Sequence, residues 1–178
     1  MNKSTNTQAD RNSWLRATDA ELLQQSRQEH YRASGPGGQH RNKVETAVKL
    51  HHAPSGVSAH AAESRSQEEN RRHATRRLRE RIAFEVRAPF DLKHPKLPPE
   101  LAAHLGPRAS LRVNAKNPNF PLIAATALDA LAACDGSYAE AAQALGVTTS
   151  QFLRFLKSDR ELWRTVSESF ARKRTPDA

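Results

Sequence analysis

Cysteine is nearly absent. The 178-residue chain has one, Cys134, which excludes an internal disulfide. Set in an Ala/Leu-rich stretch, it reads as a buried inert thiol rather than a nucleophile. No run approaches the ~20 apolar residues needed to span a bilayer. Met1–Asp10 lacks the apolar core of a secretory signal, so the expected location is the cytoplasm. Acidic residues are in deficit: 19 Asp and Glu face 28 Lys and Arg, and the pI is near 10.3. That imbalance favours a polyanionic partner, because basic groups gain affinity by displacing condensed counterions from phosphates. No cofactor or metal is expected. The length suits one domain with a substantial appendage, or two small domains.

Glycine is also scarce, with 7 in all, yet three of these fall within Ser34-Gly35-Pro36-Gly37-Gly38. With Gln39-His40-Arg41-Asn42-Lys43 they make a loop whose backbone another molecule can approach closely. Arg41 and Lys43 give it positive charge. Val44–Leu50 then alternates apolar and polar residues, the period of a half-buried strand, and His30–Ala33 reads as a brief strand entering the loop. Ala53-Pro54-Ser55-Gly56 is a turn, with Val57–His60 as the returning hairpin partner.

Residues 1–17 are polar and predict a disordered tail. Thr18-Asp19-Ala20-Glu21 has the form of a capping box opening a short helix. Glu63 to about Arg87 contains no Gly or Pro and predicts a long helix, with Ala74, Leu78, Ile82 and Val86 as one apolar stripe and Ala83 beside it. Arg71, Arg72, Arg76, Arg77, Arg79, Arg81 and Arg87 crowd the remaining surface, and only Glu80 and Glu85 oppose them within that window. The imbalance favours a phosphate-binding face over a salt-bridged solvated one, since like charges four apart repel.

Residues 88–119 carry Pro89, Pro95, Pro98 and Pro99 and predict a semi-rigid linker, with one helical turn at Glu100–Leu105. Residues 120–174 predict an all-helical module: Pro121–Ala133, Ser137–Leu145 stopped by Gly146, Gln151–Lys157 behind a Thr148–Gln151 capping box, and Asp159–Lys173 with Leu162, Trp163, Val166 and Phe170 on one face. The Ala-Leu-Gly turn followed by a Thr/Ser-capped helix resembles a helix-turn-helix. The same turn also serves packing alone in small helical bundles. If nucleic acid is met, the exposed candidates are Thr149, Gln151, Arg154 and Lys157. A DNA-binding regulator is disfavoured, because such a module needs a dimer or second reader and no dimer seam is apparent.

The string SGPGGQHRNKVETAVKLHHAPSG, followed by ESRSQEENRRHATRRLRERI, resembles the Gly-Gly-Gln (GGQ) catalytic domain of class-I peptide chain release factors, over about Thr18 to Arg87. The resemblance implies an α+β domain over 18–87: a small mixed sheet with packed helices carrying an exposed GGQ loop. It implies ribosome-dependent hydrolysis of the peptidyl-tRNA ester, with Gly37, Gly38 and Gln39 as catalytic residues. Asn42 and Lys43 would anchor the loop and meet rRNA. Ser66, Gln67, Asn70 and Arg71 would start the basic helix on RNA, which Arg72, Arg76, Arg77 and Arg79 continue. His40 is a general base in one reading and loop support in the other.

Arg41 stands where the family usually has an apolar residue, which implies an altered rRNA contact or a repositioned loop. The implied partners are the large-subunit rRNA, peptidyl-tRNA and a Gln39 methyltransferase, acting on a monomer. Nothing in the chain resembles a stop-codon-reading segment, and the family members it suggests are those that rescue stalled ribosomes independently of the codon. The alternative is a non-catalytic ribosome- or RNA-binding factor using the same domain as an anchor.

Overall fold

The computed structural model describes residues 7–31 and 45–170 and divides into two compact units. One is Asp10–Val86; the other, among the described residues, runs from Arg87 to Phe170.

In the Asp10–Val86 unit, β1 (Ser26–Tyr31), β2 (Ala47–His52) and β3 (Ser58–Ala61) form a sheet in the order β1-β2-β3. It is antiparallel throughout rather than mixed, as follows when consecutive strands pair directly with their chain neighbours. The Ala53–Gly56 turn closes β2 on β3, with Gly56 in the left-handed region at φ 71°. Val48 pairs with Ala61 and Leu50 with Ala59, so four buried apolar side chains share one face. The opposite face carries Lys49, His51 and His60 and is partly solvated, as a sheet covered on one side requires.

The covering element is the long helix α3 (Gln67–Glu85), capped by Ser66, whose hydroxyl accepts from Glu69 N. Ala74, Leu78, Ile82 and Ala83 are fully buried. Val86 is not part of the stripe: the helix ends at Glu85 and Val86 is extended, at φ -89° and ψ 108°. The short helix α2 (Asp19–Gln24) has the expected capping box, with Thr18 Oγ1 accepting from Glu21 N and the Glu21 carboxylate accepting from Thr18 N at 2.7 Å.

The disordered tail expected over 1–17 is corrected by α1 (Thr7–Arg16). Its polar composition hides two interior residues: Leu15, and Arg11, which is fully buried. The Arg11 guanidinium donates to Val86 O at 3.2 Å and to Asn12 Oδ1 at 2.9 Å. A buried cation is tolerable only when so paired.

In the other unit, the segment expected as a linker over 88–119 contains ordered elements. These are α4 (Pro99–Ala102) and the ribbon of β4 (Leu105–Gly106) with β5 (Ser110–Leu111). Leu101 and Leu111 are buried, so the prolines here set turns within a packed unit. Asp129, buried in α5 (Phe120–Ala133), accepts from Ala88 N at 3.0 Å and from Arg87 at 3.4 Å, fixing the start of the segment. α6 (Tyr138–Ala144), α7 (Thr149–Leu156) and α8 (Arg160–Phe170) complete the unit.

Gly146, at φ 71°, ends α6 as expected: it donates to Gln143 O, and Val147 donates to Ala142 O, the paired bonds of a Schellman cap. Thr148 caps α7 by accepting from Gln151 N, but the box is one-sided, because Gln151 Oε1 is buried without a partner among the described residues. On α8, Leu162 and Val166 are buried, whereas Trp163 and Phe170 are only half-buried.

Candidate functional site

The glycine loop joins β1 to β2. Gly37, Gly38, Gln39, His40, Arg41, Asn42 and Lys43 lie outside the described residues, so the site is legible through its two feet. Tyr31 pairs with Ala47 at the last rung of the β1–β2 ladder, so the loop is carried by adjacent strand ends.

Two side chains from the first turn of α3 clamp these feet. Asn70 is fully buried. Its Nδ2 donates to Thr46 O at 2.7 Å and to Ser64 O at 2.9 Å, while its Oδ1 accepts from Ser64 N at 3.0 Å. One amide thus satisfies three backbone groups, which buried polar groups demand. Gln67 Nε2 donates to Glu45 O at 3.3 Å and to His30 Nδ1 at 2.8 Å. It bridges the residue just after the loop to the strand just before it. The Ser66-Gln67-x-x-Asn70 string therefore has a structural cause: the Ser starts the helix, and Gln and Asn, three apart on one face, hold the loop's base. The sequence alone marks Gln67 and Asn70 as the start of the basic helix; their hold on the loop's base, and the part of His30 in it, come from the fold. The signal available was the choice of two amides, which form hydrogen bonds in both directions, at the head of an otherwise basic helix.

The arginine face is less bare than the sequence predicts. Arg71 pairs with Glu68, Arg76 with Glu80 at 3.7 Å, Arg77 with Glu63, Arg79 with Asp19 at 2.8 Å and Arg81 with Glu85 at 2.6 Å. Three of these acids, Asp19, Glu63 and Glu68, lie outside the 71–87 window. Glu63 loses some ionisation tendency to burial. This is outweighed by hydrogen bonds from Arg77, Ala62 N and its own N–H, which hold the carboxyl down at about 2. Arg79 is turned inward: its side chain is 17% exposed, and it donates to Asp19 and to Ala17 O at 2.7 Å. It ties α3 to the α1–α2 connection. Arg72 is exposed and makes no hydrogen bond or ion pair with a described residue, and Arg76 is 72% exposed behind a long contact. One turn apart on α3, these two form the outward cationic pair. Arg71 and Arg77 sit between those extremes, half-exposed and salt-bridged.

Among the described residues no group of three or more His, Cys, Asp or Glu could hold a metal ion. No described helix is long and apolar enough to cross a membrane.

Residues 22–96 match the RF-1 domain. The chain is 50% identical over 62 residues to peptide chain release factor 2 of Acidovorax sp. (strain JS42), covering 34% of this chain and 17% of that protein. It is 52% identical over 52 residues to peptide chain release factor 1 of Symbiobacterium thermophilum, covering 29% and 15%. Against peptide chain release factor 1 of Acidiphilium cryptum, identity is 48% over 58 residues, or 33% and 16%. The chain thus spans about a sixth of the length of these relatives. The two strands that flank the loop and the whole of α3 fall inside the matched segment, the stretch over which this chain is similar to the peptide chain release factors.

Proposed function

We propose that the chain hydrolyses the ester of peptidyl-tRNA on the ribosome, with Gly37, Gly38 and Gln39 as the reacting tip. The observation that carries this reading is the Asn70 and Gln67 clamp under the loop. A catalytic segment works only if its support holds it to within a fraction of an ångström. In ester hydrolysis the carbonyl oxygen gains negative charge as water attacks, and backbone N–H donors aimed at that charge are worth several kcal/mol, roughly 3 per donor. Glycines at 37 and 38 let the main chain approach the ribose without a Cβ in the way. The Gln39 amide then offers a backbone donor, with a side chain that positions water. Gln39 is also the residue on which a methyltransferase would act.

rRNA is the counterpart of the basic groups: Arg41 and Lys43 in the loop sequence, and the exposed Arg72 and Arg76 on α3. Release is read here as independent of the codon. What supports this is the unit after the RF-1 domain, in which residues 99–170 form a helical assembly of their own with no part in the match.

The test is peptide release from stalled ribosomes by Gln39→Ala and Gly38→Ala. Both variants should still bind ribosomes and release nothing. Release at the parent rate by Gln39→Ala would reject hydrolysis by this loop, and ribosome binding without release by the parent chain would mark a passive binder.

A further inference from the structure

α7 divides cleanly into two faces. Phe152, Phe155 and Leu156 are buried, and the Phe155 ring packs tilted against Phe120 at 5.6 Å between ring centres. On the opposite side, Ser150, Arg154 and Lys157 form a stripe at positions i, i+4 and i+7, with Thr149 beside it, and all four residues are exposed. No acidic residue occurs from Ala141 to Ser158. Arg154 makes no hydrogen bond or ion pair with a described residue. The neighbouring helix shows the contrast: Arg164 of α8 is paired with both Glu161 and Glu168 and is held more firmly protonated by the Glu161 hydrogen bond. Lys157 Nζ stands 5.0 Å from the centre of the Trp163 ring, a contact that orients the ammonium without neutralising it.

The β4–β5 ribbon brings a third cation to the same place. β5 packs against α7, and Thr148 N, at the head of that helix, donates to Ala109 O at 3.1 Å. The tip residue next to Ala109 is Arg108, exposed and without a partner among the described residues. Arg108 and Ala109 both take left-handed backbones, at φ 59° and 53°, which costs about 1 kcal/mol each for an L-residue. A basic ribbon tip, a Thr/Ser-rich helix start and an acid-free basic helix face thus adjoin within one unit.

We propose that this surface, Arg108 with Ser150, Arg154 and Lys157, binds the phosphate backbone of a structured RNA. Hydroxyls at the start of a helix followed by two cations at i+4 and i+7 suit phosphates that follow one another along a strand, and the ribbon tip reaches a further phosphate beside the helix. The choice of RNA over DNA rests on the ribosomal reading above, whereas the phosphate-binding face rests only on charge and geometry. It gives the chain a second RNA contact, borne by the helical unit.

The experiment measures fluorescence anisotropy of the full chain on a labelled RNA hairpin, and on a DNA duplex of the same stem sequence, across a salt series. Arg108→Glu/Arg154→Glu should weaken hairpin binding roughly tenfold or more and lower the log–log salt slope by about two, one per lost phosphate contact. Arg108→Lys/Arg154→Lys should restore most of both, and Arg164→Glu should change neither. Unaltered affinity and slope in the double charge reversal would overturn the proposal. Tighter binding to the DNA duplex than to the hairpin would overturn the RNA assignment. Failure of the parent chain to release peptide, with hairpin binding still sensitive to Arg108 and Arg154, would reject the hydrolase reading and leave this surface standing.

Discussion

Replacing Asn70 by Ala tests the clamp most sharply. The side chain is fully buried and its amide forms three hydrogen bonds, to Thr46 O, Ser64 O and Ser64 N. A net intramolecular hydrogen bond is worth about 1 kcal/mol, and leaving its buried partner unpaired costs about 1–3 kcal/mol. Three bonds with partial relaxation of the freed groups give a loss of about 3 kcal/mol. The chain has two tryptophans, one in each unit, so a Trp163→Phe background leaves Trp14 as the sole indole emitter. Trp14 lies against His52 at 5.1 Å and reports on the unit that Asn70 stabilises. In urea, Asn70→Ala should lower that unit's midpoint by 1–2 M, taking about 2 kcal/mol/M as the slope. Peptide release should fall further than stability alone explains, because Thr46 is three residues past Lys43. A loss below about 0.5 kcal/mol would refute the clamp.

Four other outcomes follow. His52 is fully buried, and burial, then the neighbouring His51 charge, lowers its proton affinity. Gln25 Oε1 at 3.1 Å requires a proton on Nε2, leaving Nδ1 to accept from Ser55 at 2.7 Å. The unfolded chain therefore binds this proton more readily than the folded one, and stability should fall as pH drops below about 6.5, read by Trp14 and abolished in His52→Asn. Glu63, held at about 2 against an ordinary 4.5, contributes stability that is full above 4.5 and lost as pH falls toward 2. Because the pair is 43% and 40% exposed, Glu63→Gln should cost under about 1 kcal/mol at neutral pH, checked by urea unfolding. Asp129→Ala should destabilise the helical unit by about 3 kcal/mol, and Asp129→Asn by less, since the Ala88 N–H keeps an acceptor; Trp163 fluorescence in a Trp14→Phe background measures both. Gly146→Ala has open space around it but a left-handed backbone, so it should cost about 1 kcal/mol, and Gly146→Asn less.

Local signals in the sequence proved informative where local chemistry decides the outcome. Thr18 with Glu21, Thr148 at the head of α7 and Gly146 at the end of α6 are caps formed within a few residues. The Ala53–Gly56 turn and the alternation around Leu50 delivered the β2–β3 hairpin in the same way. What remained hidden depends on distant partners. α1 is polar in composition, and its buried Arg11 is accommodated by a carbonyl 75 residues away. The arginines of α3 looked unopposed because Glu63 and Asp19 reach them across the fold. Asn70 and Gln67 read only as the start of a basic helix, whereas their amides bond to Thr46, Glu45 and His30. A one-dimensional charge count does not separate a phosphate-binding face from a set of inter-element tethers. In this chain Arg79 is a tether, and Arg72 has the exposure of a binding group.

The central claim is that the loop between β1 and β2 releases peptide, and that it does so without reading a codon. The direct measurement compares peptide release by the full chain on ribosomes halted at the end of a truncated message, at a stop codon and at a mid-message sense codon, with Gln39→Ala beside the parent. The account predicts Gln39-dependent release on the truncated message and no preference for the stop codon over the sense codon. Release confined to the stop codon, or release that Gln39→Ala leaves intact, would contradict it.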